Sequence, residues 1–63
     1  MDTSIGAMAR FTMYTLHRSE IVVGPIMEHR FSRHTGLLYS VVVDLRALGY
    51  GYVVVPIADL LGE

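Results

Sequence analysis

Hydrophobic and polar residues alternate near the start of the chain and give way to an almost unbroken apolar run at its end. From Arg10 to Leu16 the order is RFTMYTL, with Phe11, Met13 and Thr15 on one side and Thr12 and Tyr14 on the other. A period of two over residues rich in β-formers predicts a strand from about Ala9 to Leu16. His17-Arg18-Ser19-Glu20 is a polar break. Glu20 to Met27 predicts a second strand, interrupted by Gly24-Pro25. That makes it an edge strand, a bulged strand or one that ends at Val23. Glu28 to Thr35 (EHRFSRHT) is the only dense polar segment. Residues 1–7 are small and polar and read as a flexible leader, leaving 8–63 as a single small domain.

The segment from Leu37 to Leu48 fits two periods. Leu37, Tyr39, Val41, Val43 and Leu45 alternate with Leu38, Ser40, Val42 and Asp44, as in a strand. Leu37, Leu38, Val41, Val42, Leu45 and Leu48 also share one helical face, with Thr35 placed as an N-cap and Gly49 as the C-terminal glycine. The run Val41-Val42-Val43 favours the strand, because β-branching costs a helix side-chain entropy. Tyr52 to Ile57 is a strand on either reading, with Pro56 near its end, and Ala58 to Leu61 adds a closing helical turn. The fold class is therefore β-rich: a small antiparallel sheet resembling an SH3-like half-barrel. The alternative is α+β, ββαβ with a helix at about 36–48. In both, Val53-Val54-Val55 lacks polar alternation and is expected in a central strand covered on both faces.

Size sharpens this picture. A chain of 63 residues buries only about 60% of the surface that its unfolded form exposes. Cysteine is absent, so neither disulfides nor thiolate zinc sites support the fold. Hydrophobic residues make up 52% and charged residues 17%, against about 25% charged in an average domain. Such a chain is expected to self-associate, as a homodimer or larger assembly. The net charge of -1 argues against nucleic acid as a partner. All five basic residues are arginine, which suits bidentate and partly buried pairing better than lysine does. The longest uncharged run, Ala47 to Ala58, is short of the roughly 18 residues of a membrane span. The opening residues lack a signal peptide's basic and apolar regions. A cytoplasmic protein without a membrane partner is expected.

Two pieces of the chain resemble the CcdB family of plasmid-addiction toxins. Met8-Ala9-Arg10-Phe11-Thr12-Met13-Tyr14 is similar to that family's opening strand, a methionine, two small or polar residues, then F-x-x-Y. Asp44-Leu45, followed after seven residues by Val53-Val54-Val55-Pro56-Ile57, is similar to its D-L-L segment running into R-V-V-V-P-L. The pieces come in the family's order and cover about half the chain. Tyr52 stands where the family has arginine. Ser40-Val41-Val42 keeps only the valine of the family's D-V-Q, and the intervening stretch is longer. The resemblance reaches only the family's N-terminal half, so its gyrase-contacting C-terminal helix has no counterpart. What it implies is an SH3-like β-fold and a dimeric habit; the missing helix puts gyrase poisoning in doubt.

Candidate chemistry centres on residues 28–35, which hold two of the three histidines and two of the five arginines. The segment suits a protein contact; if a helix begins near Gly36, backbone N–H groups, Arg30, Arg33 and the Ser32 and Thr35 hydroxyls suit a phosphate or carboxylate. His29 and His34, five apart, share neither a strand face nor a helix face, so metal is not expected. Histidine as acid and base, with arginine on phosphate, is sound chemistry for a small ribonuclease. The near-neutral charge weakens any RNA-tracking surface. Tyr39, Tyr50 and Tyr52 are typical strand and interface residues. Met13 and Met27 are expected as core filler. The expected binding residues are Arg30, Arg33, His34, Tyr39, Tyr50 and Tyr52. The reading is a small protein-protein interaction module of toxin–antitoxin or inhibitor kind, without catalysis or cofactor. The alternative is a small RNA-cleaving or anion-binding protein using residues 28–35.

Overall fold

The computed structural model describes residues 2–62. Four strands, β1 (Met8–Tyr14), β2 (Ser19–Phe31), β3 (Leu38–Leu45) and β4 (Gly51–Pro56), form one antiparallel sheet in that order. Two short 3-10 turns, Arg46–Leu48 and Ile57–Asp59, are the only helical pieces among the described residues. The expected β-rich class holds, and the alternative helix over 36–48 is corrected to β3. A valine-rich segment with a strand on each side satisfies its backbone groups through two ladders. It also avoids the χ1 restriction that helix imposes on β-branched residues. Gly49 does take the left-handed capping conformation, at φ 85°, but what it caps is one 3-10 turn.

The alternation in β1 works as read: Ala9 and Phe11 are buried while Met8 and Arg10 are exposed. Across the ladder Phe11 faces Val22 and Ala9 faces Gly24. The Gly24-Pro25 pair does not end β2. Pairing with β1 stops at Met8 and Pro25, and pairing with β3 starts at Ile26 and Val43. Pro25 thus sits where one ladder hands over to the other, and its missing N–H removes little. A register shift between Ile26 and Glu28 marks a bulge at Met27. Bulges bend a strand and raise its twist, which lets one 13-residue strand serve two partners. Met27 is 46% exposed there, so its expected role as core filler is corrected; Met13 does pack against the core.

The core comprises Ala9, Phe11, Val22, Ile26, Val41, Val43, Leu45, Val55 and Leu60. Most of them share one face of the sheet, where Phe11 pairs with Val22, Ile26 with Val43 and Val41 with Val55. After the Ile57–Asp59 turn, Leu60 forms a bridge to Phe11, and the Leu61 N–H donates to the Arg10 carbonyl at 2.7 Å. The chain end therefore meets β1, as a half-barrel requires. Residues 2–7 lie along β2. The Gly6 N–H donates to Ile26 O, and the Ile26 N–H donates to Ala7 O, each at 2.8 Å. No helix among the described residues is long and apolar enough to cross a membrane.

The doubly covered strand is β3, where Ser40, Val41, Val42 and Val43 are all buried. The expectation that Val53-Val54-Val55 would be central is corrected, because β4 ends the sheet. Ser40 carries a cost. It is 1% exposed, and its Oγ has no hydrogen-bond partner. A buried hydroxyl without a partner forfeits its hydration for nothing. Ser40→Ala is therefore expected to stabilise the fold by about 1 kcal/mol. A urea midpoint that falls instead would show the hydroxyl to be bonded in solution.

Candidate binding surface

The β2–β3 hairpin carries the densest group of nominated residues. Its loop, residues 32–37, is closed by the Ser32 N–H donating to Leu37 O at 2.8 Å and the Gly36 N–H donating to Ser32 O at 2.9 Å. Ser32 Oγ accepts the N–H groups of His34 at 3.2 Å and Thr35 at 3.3 Å, and Thr35 Oγ1 accepts that of Leu37 at 3.2 Å. Short hydroxyl side chains thus bond the turn's own backbone. Gly36 supplies the left-handed residue, at φ 70°. Bonds within the loop fix its backbone, and Arg33 and His34 lie exposed on it.

These residues frame an open hollow of about 530 Å³ lined by Arg30, Phe31, Ser32, Arg33, His34 and Tyr39. A second register shift, between Arg30 and Phe31, leaves Tyr39 as the extra residue of β3. Arg30 and Tyr39, at opposite ends of the loop in sequence, therefore share its lining. Arg30 Nε donates to Glu28 Oε2 at 3.2 Å, a surface pair of little energetic weight. Arg33 has no ion pair among the described residues. Two exposed aromatic rings, Phe31 and Tyr39, in one hollow with two arginines and an imidazole suit a planar or anionic side chain from a partner.

His29 is not part of this group. It is half-buried; its Nε2 donates to the Thr3 carbonyl at 2.6 Å, and its ring meets Phe31 edge-on at 6.0 Å. The role of His29 is to hold residues 2–7 against β2. No group of three His, Cys, Asp or Glu suited to a metal occurs among the described residues.

Tyr50 and Tyr52 do not line the hollow. The Tyr50 hydroxyl donates to Glu20 Oε1, and Arg18 lies 3.6 Å from the same carboxylate. That hydrogen bond, with burial adding to it, raises the Tyr50 phenol above its ordinary value. Tyr52 lies on β4 under the Arg46 guanidinium, 5.0 Å from the ring centre. Arg46 in turn grips Asp44 through bonds of 3.0 and 2.9 Å. The Arg46 side chain, then its backbone N–H, hold the Asp44 carboxyl below the usual carboxylate range. Asp44, Arg46 and Tyr52 form a separate cluster. Arg46 opens the 3-10 turn that follows β3, which brings both its backbone N–H and its guanidinium back to Asp44, and Tyr52 is the cross-strand partner of Asp44.

One lining residue, Phe31, escaped the sequence reading, which weighed only the charged and hydroxyl members of the segment. A second hollow of about 450 Å³, with Met8, Arg10, Val23, Leu60 and Leu61 in its wall, also escaped it. Only the long-range contact of the chain end with β1 creates that hollow. No family model, curated protein or solved structure matches the chain.

Proposed function

We propose that the chain is a small protein-binding module of toxin–antitoxin or inhibitor kind, which acts by occupying a protein target with the tip of its β2–β3 hairpin. One observation carries this reading: Arg30, Arg33, His34 and Tyr39 gather around a single open hollow on an internally bonded loop. Tyrosine and arginine dominate binding hot spots, and a hairpin that satisfies its own backbone loses little entropy on contact. The mechanism is occupancy. Arg33 supplies a forked donor set, Tyr39 and Phe31 supply rigid apolar area, and Ser32 and Thr35 keep the loop in shape.

Inducible expression in bacterial hosts tests it. Wild-type chain is expected to arrest growth. The double variant Arg33→Ala, Tyr39→Ala is expected to lose the arrest while keeping its circular dichroism spectrum, because two hot spots cost about 2 kcal/mol or more each. Arrest by the double variant at wild-type level would remove the hairpin tip as the working surface. Arrest that depends on His34 alone, accompanied by RNA cleavage, would replace occupancy with catalysis.

A further inference from the structure

The open edge of the sheet identifies a partner independently of the hairpin tip. β4 is the last strand in the order, and among the described elements only β3 pairs with it. The opposite terminal strand, β1, is met by Leu60 and Leu61 from the chain end. Natural sheets usually blunt an open edge with lysine, other charges, a bulge or proline. β4 reads GYVVVP: no charge, no lysine, and a proline only at its last position. Its outward residues, Tyr52 and Val54, are 55% and 53% exposed. Such an edge is built to be paired.

We infer that β4 pairs antiparallel with β4 of a second copy of this chain, about a twofold axis at Val54. In that register Val54 faces the partner's Val54, Val53 faces the partner's Val55, and Tyr52 faces the partner's Pro56. A residue on a twofold axis meets its own copy, so a charge there would repel itself. Val54 is neutral and β-branched, the type that strand pairing favours. Within one copy, Val42 and Val54 are already direct cross-strand partners. Pairing at Val54 joins them to their symmetry mates in one continuous apolar row. Pro56, which cannot donate, falls at the outermost pair, where the ladder loses least.

Symmetry also selects the occupant. A strand that pairs with itself consumes the edge on both copies, and β1 is already met by the chain end, so growth closes at a dimer. The molecule's dimensions agree with a missing partner. It exposes 4586 Å², against about 4,000 Å² for a monomer of 7.0 kDa. Its radius of gyration is 11.7 Å, against about 10.6 Å for a compact chain of this length.

Light scattering during size-exclusion chromatography gives the test, with two variants. Wild-type chain is expected at twice its 7.0 kDa mass. Val54→Lys replaces an exposed side chain and sets two ammonium groups face to face. It is expected to weaken the dimer by on the order of a hundredfold and run as a folded monomer. Val54→Cys places the chain's only thiol on the axis, since native cysteine is absent. It is expected to form a crosslinked dimer under mild oxidation, whereas Val23→Cys, exposed on β2, is not. A monomeric wild type, an equally dimeric Val54→Lys, or equal crosslinking at both positions would overturn the pairing. A monomer would leave β4 open for an extended segment of another protein. If Val54→Lys fails to fold, the cysteine pair decides alone.

Discussion

Gly24→Ala is expected to unfold most of the population by a single methyl group. A Cβ at Gly24 would lie 2.6 Å from the backbone oxygen of Asp44, 2.8 Å from Leu45 Cδ2 and 3.0 Å from Val43 Cγ1. The closest of these atoms is backbone in the neighbouring strand, so no rotamer change relieves the clash. β2 and β3 must separate, and separation stretches the ladder that begins at Ile26 and Val43. Overpacking of this kind costs about 1–3 kcal/mol and occasionally more. The whole stability of so small a domain is of the same order, a few kcal/mol. Urea denaturation followed by circular dichroism reads the result. Gly62→Ala is the control, because nothing lies within 4 Å of the position. A Gly24→Ala midpoint matching that of Gly62→Ala would mean the strands are not so close.

Ile26→Ala is expected to be comparably damaging, for the opposite reason. Ile26 is fully enclosed, at 0% exposure, beside the β2 bulge, and both its backbone N–H and carbonyl bond to residues 6–7. Truncating it removes apolar contact and leaves a cavity that the ladder on each side prevents from collapsing. Isoleucine-to-alanine changes in cores cost about 2–5 kcal/mol. Met27→Ala is the matched comparison, one residue along the same strand but 46% exposed. It is expected to cost under about 1 kcal/mol. Equal losses at the two positions would show that the bulge does not divide the strand as described.

Much of the architecture was readable because it rests on local rules. The two-residue period of Phe11 and Met13 marked β1, and β-branching at Val41-Val42-Val43 marked β3 despite an equally good helical stripe. Gly24-Pro25 left open an edge strand, a bulged strand or an end at Val23, and β2 is the bulged strand, with its bulge at Met27. Here glycine permits a close strand approach and proline falls between two ladders, and neither fact is local. β4 misled for a related reason. An unbroken apolar strand is expected to be covered on both faces, yet β4 is terminal in the sheet, and its place in the strand order is not a local property. The hairpin residues Arg30, Arg33, His34 and Tyr39 were legible as a group because nearly all of them lie in one polar segment. Tyr50 and Tyr52 were grouped with them by residue type alone; their partners Glu20 and Arg46 are set by the fold.

The proposed β4 pairing would complete apolar surface between copies. The most direct measurement is the urea midpoint across a hundredfold range of chain concentration. Folding coupled to pairing predicts a midpoint that climbs steadily, by about 1.4 kcal/mol of apparent stability per tenfold increase. A cooperative transition whose midpoint stays fixed over that range would contradict it, and would mean that the copies do not associate.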